Sequence, residues 1–107
     1  MRCGRLYEAE LRRLQGELLL ERDGLAAAED ALVCFRHAIA LGQEQAALAW
    51  QLRAAMSQVR LYERLAADQL PELEGARHTL AALYARYTEG HHLPDLCEAA
   101  AFLGVAA

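Results

Sequence analysis

The side chains that could bind a metal ion fall in two places in the sequence. Cys34 and His37 stand three residues apart within one predicted helix, so both could reach a single ion. A second group near the C-terminus consists of His91, His92, Asp95 and Cys97. However, a cysteine beside a core aromatic such as Phe35 commonly behaves as a small hydrophobic residue, and histidines in a loop are commonly only solvated. We therefore predict no metal site, and we keep a metal- or redox-responsive helical module as the alternative.

Catalytic chemistry has few candidate residues in this chain. The sequence contains no lysine, which excludes both a phosphate-loop lysine and a Schiff base. Ser57 is the only serine, and it falls within an apolar-striped helix without the glycine elbow of a serine hydrolase. We therefore expect Ser57 to be a small residue at a helix crossing and not a nucleophile. The acidic pairs Glu29–Asp30 and Glu72–Glu74 fall in the first turns of predicted helices, where negative charge offsets the helix dipole. The sequence thus predicts a protein that is not an enzyme and carries no cofactor.

Composition indicates an all-α protein. The chain has 107 residues, 55% of them hydrophobic and mostly alanine and leucine, with only two prolines. Alanine and leucine are strong helix formers, whereas the β-branched residues typical of strands are scarce. A chain of this length makes one domain, so we expect residues 1–107 to form a single unit.

Net charge and cysteine content indicate which partners are improbable and which cellular compartment to expect. The formal net charge is −4 and every basic residue is an arginine, which does not suit the phosphate contacts of nucleic-acid binding. The apolar runs are far shorter than a membrane span. Three widely spaced cysteines and a charged N-terminus without a signal-peptide core predict a reducing cytoplasm. Arginine and alanine usage is typical of a GC-rich bacterial genome.

Apolar spacing predicts five helices. They run from about Tyr7 to Leu20, Ala27 to Leu41, Gln45 to Leu65, Pro71 to Tyr87 and Pro94 to Leu103. Turn chemistry at Asp23-Gly24 ends the first helix, Gly42 lies at the end of the second, and Gly90 caps the fourth. Because the links are short, we expect two antiparallel hairpins followed by a short C-terminal helix.

Apolar stripes run along the predicted helices. In the first helix Leu11, Leu14 and Leu18 recur at helical spacing, with charged residues on the other face. We expect inward stripes on the third and fourth helices, formed by Leu48, Leu52, Ala55, Val59 and Tyr62, and by Leu73, Ala76, Leu80, Leu83 and Tyr87.

The order of small and large residues predicts close packing within each hairpin. Gly16 lies on the first helix, and Ala31-x-x-x-Phe35-x-x-Ala38 lies on the second. Small residues let two helices approach, and one large residue fills the space between them. The same positions recur forty-five residues later as Ala76, Leu80 and Leu83, and Ser57 is the nearest small equivalent of Gly16.

This pattern resembles the tetratricopeptide repeat, in which a small residue on one helix faces an alanine, a large apolar residue and another alanine on the next. Longer segments are similar to the C-terminal repeats of large bacterial signalling ATPases: Leu14–Leu20, Cys34–Ala38, Leu52–Ser57 and the tail Leu83-Tyr84-x-x-Tyr87-Thr88-Glu89-Gly90. In such proteins a nucleotide-binding ATPase module, often with an adenylate/guanylate cyclase or a DNA-binding domain, precedes a helical-repeat array. The resemblance implies a tetratricopeptide-like superhelix that ends in a short capping helix, and a regulatory or partner-sensing role in signal transduction.

The last expectation concerns a contact surface. Two hairpins are fewer than the roughly three repeats that usually give independent stability. We therefore expect the flank formed by Leu6, Tyr7, Leu11 and Trp50 to dock on upstream repeats or on a second copy of the chain. Trp50 lies one step off the inward stripe, and it is either a packing residue between hairpins or an anchor in a partner groove.

Overall fold

The computed structural model describes residues 7–65, 70–87 and 93–104, and these residues contain helices and turns but no strand. The helices are α1 (Glu8–Asp23), α2 (Ala28–Glu44), α3 (Leu48–Leu65), α4 (Leu70–Ala85) and α5 (Pro94–Leu103), and a single 3-10 turn, Gly24–Ala27, joins α1 to α2. The all-α class predicted from composition is confirmed. Among the described helices, none combines the length and the apolarity needed to cross a membrane.

The sequence predicts that Gly24 ends the first helix and Gly42 the second, and the structure agrees only at Gly24. Gly24 caps α1 with a φ of 63°, a left-handed value that suits glycine, so the predicted stop at Asp23-Gly24 is confirmed. Gly42 was expected to end α2, and this expectation is wrong, because the helix continues to Glu44. The reversal falls instead at Ala46, whose φ is 54°, and it delays the start of α3 to Leu48. The predicted cap at Gly90 lies outside the described residues.

Helix α3 lies in the middle of the molecule, where it contacts all four other helices. Consecutive helices pack on each other, and α1 and α5 each also contact α3. One buried apolar cluster draws side chains from every helix, for example Leu20, Phe35, Leu52, Leu80 and Leu96. The inward stripes predicted for α3 and α4 are buried, apart from Leu48 and Tyr87, which are half-buried.

A close helix contact joins α1 to α2 at Gly16. A Cβ atom on Gly16 would lie 2.7 Å from Cε1 of Phe35 and 3.1 Å from both the carbonyl oxygen of Ala31 and Cβ of Cys34. Phe35, Ala31 and Ala38 are fully buried. The absence of a side chain at Gly16 is therefore what lets α1 lie against the aromatic ring.

The buried face of α1 is not the leucine-rich one. Its buried residues are Ala9, Gly16 and Leu20. Leu11, Leu14 and Leu18 point to the opposite side and are exposed. The apolar spacing of α1 is therefore real, but Ala9, Gly16 and Leu20, rather than the three exposed leucines, form its buried face.

Candidate functional site

One side of α1 carries an exposed apolar row, which we call the α1 stripe. It consists of Tyr7, Leu11, Leu14 and Leu18, whose side chains are 57%, 62%, 42% and 64% exposed. Their spacing of four, three and four residues places them along one face of the helix. Scattered exposed leucines are ordinary, but a contiguous row on one helix is typical of a contact surface.

Trp50 on α3 lies next to the N-terminal end of the α1 stripe. The rings of Tyr7 and Trp50 are 6.3 Å apart between centroids and tilted by 59°. The guanidinium of Arg53 lies 5.5 Å from the centre of the Trp50 ring, at the range of a cation–π contact. Trp50 is half-buried, and of the residues predicted to share its flank it contacts Tyr7. Leu6, the fourth residue of that predicted surface, lies outside the described residues.

A row of ion pairs, which we call the polar seam, joins α1, α3 and α5. It contains three arginines, four carboxylates and one hydroxyl: Arg13, Arg53, Arg60, Glu10, Glu17, Asp95, Glu98 and Ser57. Arg13 binds Glu10 within α1 at 2.7 Å. From α3, Arg53 reaches Asp95 on α5 at 2.9 Å and Glu10 on α1 at 3.4 Å.

The second half of the polar seam repeats this bridging geometry. Arg60 on α3 lies 2.7 Å from Glu98 on α5 and 3.3 Å from Glu17 on α1. The hydroxyl of Ser57 donates to the same Glu17 carboxylate at 2.7 Å. Two arginines of α3 thus each bind one carboxylate of α1 and one of α5, which joins both helices to α3.

The polar seam borders a shallow cavity of about 220 Å3 lined by seam residues and Met56. Hydrogen bonding to Glu10 raises the pKa of Arg13, and hydrogen bonding to Asp95 raises the pKa of Arg53. Each guanidinium is therefore held in its charged form by a carboxylate of the chain itself. The Ser57 side chain is buried and its hydroxyl donates a hydrogen bond to Glu17, whereas a nucleophile must be accessible to its substrate. This arrangement holds α1, α3 and α5 together.

The cysteine and histidine candidates do not converge in the part of the chain that the structure describes. Cys34 is half-buried against Gly16, and this burial raises the pKa of its thiol, which disfavours the thiolate that metals and oxidants require. His37 is exposed on α2, and Cys97 is exposed on α5. Among the described residues, no three His, Cys, Asp or Glu side chains are grouped so that they could hold a metal ion. His91 and His92 lie outside those residues.

Sequence reasoning placed Tyr7, Leu11 and Trp50 on one surface and did not identify the polar seam. A usable signal was present: Glu10, Arg13 and Glu17 follow helical spacing on α1, and Arg53 and Arg60 lie seven residues apart on α3. Carboxylates in a row on α1 and arginines in a row on α3 predict bridging ion pairs when the two helices pack together.

Comparison with known proteins adds no relative to this picture. No protein-family model, no curated protein and no solved structure matches the chain. Two features of the described residues bear on function. The α1 stripe is exposed, and the arginines of the polar seam are paired with carboxylates of the same chain.

Proposed function

We propose that the chain is a non-catalytic protein–protein interaction or regulatory module that forms the last part of a tetratricopeptide-like array in a bacterial protein of the signalling ATPase type. The observation that carries the proposal is the α1 stripe. Four large apolar side chains line one face at α1, whereas each arginine of the adjacent polar seam is paired with a carboxylate of the chain itself. An interaction surface explains this division better than a reaction site does.

The α1 stripe is large enough to matter for binding. Fully burying a leucine contributes about 1.5–3 kcal/mol. The three leucines of the stripe are about half exposed, so covering them contributes on the order of 3 kcal/mol. Tyr7 adds an aromatic ring with a polar tip, a combination that is enriched at interfaces. The entropic cost of association must be subtracted from this burial free energy, so the isolated surface supports only weak binding. A partner tethered to the chain binds more tightly because its effective concentration is higher.

Light scattering over a range of concentrations tests the proposal. We expect the isolated chain to associate as its concentration rises, since the α1 stripe has no other partner in solution. The double substitution Leu11→Glu/Leu18→Glu should abolish association while far-UV circular dichroism stays unchanged, because both side chains point away from the core.

A matched control is Leu25→Glu/Val33→Glu, which places the same two charges on exposed apolar residues outside the α1 stripe. This variant should associate like the wild type. A wild-type chain that stays a compact, stable monomer at every concentration would contradict the proposal.

A further inference from the structure

The odd-numbered helices share a 41-residue register. Three sets of positions 41 residues apart are occupied by apolar residues on or next to α1, α3 and α5: Leu11, Leu52 and Leu93; Leu14, Ala55 and Leu96; Leu18, Val59 and Ala100. At a fourth set of this interval, Gly16 and Ser57 are both small, whereas the third position is Glu98. The α1 stripe is therefore the first of three corresponding rows.

In α3 this row is buried against the preceding hairpin. Leu52, Ala55 and Val59 are inaccessible to solvent and belong to the core cluster that includes Phe35. Tyr62 continues the row by one turn, and its hydroxyl accepts a hydrogen bond from Arg36 of α2 at 2.9 Å. The apolar row of α3 thus faces α2, the second helix of the hairpin before it.

The corresponding row of α5 is buried in the same manner. Leu96 and Ala100 are covered, and α5 packs on α3 and α4, the hairpin that precedes it. Leu93 stands just before α5 and is exposed, so the register ends at the helix boundary. Two of the three rows therefore pack on a preceding hairpin, and only the α1 stripe is uncovered.

We propose that the α1 stripe is the docking face for a helical hairpin of the α1–α2 kind, placed before α1 in the same 41-residue register. The inference rests on the proposed function and deepens it by naming the occupant. Its basis is continuity with two contacts that the chain already makes, α3 on α1–α2 and α5 on α3–α4.

Charge adds a requirement for the second helix of that hairpin. The position 41 residues before Tyr62 is Glu21, an exposed carboxylate on α1. Arg36, which donates to the Tyr62 hydroxyl inside the chain, would have Glu21 as its counterpart at the new contact. The docking hairpin therefore carries a basic side chain at the position of Arg36, opposite Glu21.

A second copy of the chain does not offer the required face within its described residues. On hairpin α1–α2 that face is covered by α3, and on hairpin α3–α4 it is covered by α5. Helix α5 is held there by buried Leu96, Ala99 and Ala100 and by the pairs Arg53–Asp95 and Arg60–Glu98. A second copy would have to displace a packed helix before it could receive the α1 stripe in this register. The self-association expected of the isolated chain therefore pairs exposed stripes with each other, and an added hairpin competes with it.

The experiment supplies the hairpin from the chain itself. Residues 7–47 are duplicated immediately before Tyr7 of the full chain, so that the duplicate enters in the native register and the junction Ala47–Tyr7 replaces Ala47–Leu48. A thiol is introduced by Leu14→Cys in the original segment only, in a background with Cys3→Ser, Cys34→Ala and Cys97→Ser in every copy. The probe is the rate of thiol alkylation, compared with that of the same Leu14→Cys chain without the duplicate.

We expect the added hairpin to slow alkylation at this thiol by at least about tenfold, because a docked face reacts only when it opens. The control Ala82→Cys lies on the exposed side of α4 and should react at the same rate in both chains. Glu21→Arg in the original segment should reduce the protection, and Arg36→Glu in the added hairpin should restore it. The extended chain should also lose the association that the wild type shows.

The outcomes separate this inference from the proposed function. If the thiol stays fully reactive while the wild type still associates through the α1 stripe, the hairpin is the wrong occupant and the interaction surface stands. If the thiol stays reactive and the wild type is a stable monomer, both proposals fail. Protection that persists with Leu11→Glu/Leu18→Glu in the original segment would also overturn the inference, because docking would then not use the stripe.

Discussion

Replacing Gly16 by alanine tests the packing of α1 on α2 with a single methyl group. The added Cβ would lie 2.7 Å from Cε1 of Phe35, closer than nonbonded carbons approach, and 3.1 Å from the Ala31 carbonyl oxygen. Phe35 is fully buried, so its ring has no open space to enter. The conflict must be relieved by a shift of α1 away from α2.

Two opposing effects set the magnitude. Overpacking a well-packed core costs about 1–3 kcal/mol, whereas replacing glycine by alanine inside a helix stabilises by about 0.5–1 kcal/mol. The net loss for Gly16→Ala is therefore about 0–2.5 kcal/mol. Gly75 on α4 gives the matched control, since a Cβ there meets nothing within 4 Å. Gly75→Ala should retain the helix-propensity gain and raise the free energy of unfolding by up to about 1 kcal/mol.

Urea denaturation followed by far-UV circular dichroism measures both variants. The difference between them isolates the overpacking cost, and we expect about 1–3 kcal/mol with unchanged m-values. Adding Phe35→Leu should make Gly16→Ala less harmful than it is in the wild type, because a smaller side chain leaves room for the methyl group. Equal stability of Gly16→Ala and Gly75→Ala would refute the close contact between α1 and Phe35.

Three further predictions concern the polar seam, Cys34 and metal binding. Asp95→Asn removes the α5 partner of Arg53 at a half-exposed pair and leaves its contact with Glu10 on α1, so it should cost at most about 1 kcal/mol and speed amide hydrogen exchange in α5 and not in α2. Equal acceleration in both helices would contradict the proposal that the seam holds α5 in place. Because burial raises the pKa of the Cys34 thiol, the thiol of the folded chain stays protonated to a higher pH than that of the unfolded chain. The corresponding stability is present at neutral pH and lost as pH rises through the raised pKa, and urea titrations should show a shallower alkaline decline for Cys34→Ala; identical slopes would argue against it. Elemental analysis of untagged protein should find no stoichiometric metal, whereas a one-to-one ratio would revive the metal-responsive alternative.

The sequence predicts the helices well because most of their boundaries are local. Apolar spacing and the left-handed turn at Gly24 depend on residues close in the chain. Gly42 misleads for a non-local reason. A Cβ there would lie 2.7 Å from Cγ of Gln51 on α3, and the Gln51 side-chain amide donates to the Gly42 carbonyl oxygen at 3.2 Å. This glycine serves a close approach of two helices, which local turn signals cannot distinguish from a helix stop.

The orientation of α1 shows a second limit of sequence reasoning. An amphipathic helix usually turns its large apolar side chains to the core. Here the partner surface of α2 presents Phe35, and only the small side of α1, at Gly16, can lie against that ring. The leucines then face outward because packing on α2 has selected the opposite side of the helix. The amphipathic pattern gives the period, and the shape of the neighbouring helix decides which face is buried.

The polar seam and the apolar rows have different roles in the proposed docking. Inside the chain, Arg53 and Arg60 each bridge from α3 to a carboxylate of α1. Forty-one residues earlier stand Arg12 and Leu19, so a hairpin docked before α1 could reproduce the first bridge but not the second. Since ion pairs at partly exposed sites contribute little, loss of one bridge costs less than exposure of the α1 stripe. In the proposed docking, the contact before α1 therefore depends mainly on the leucines of the α1 stripe.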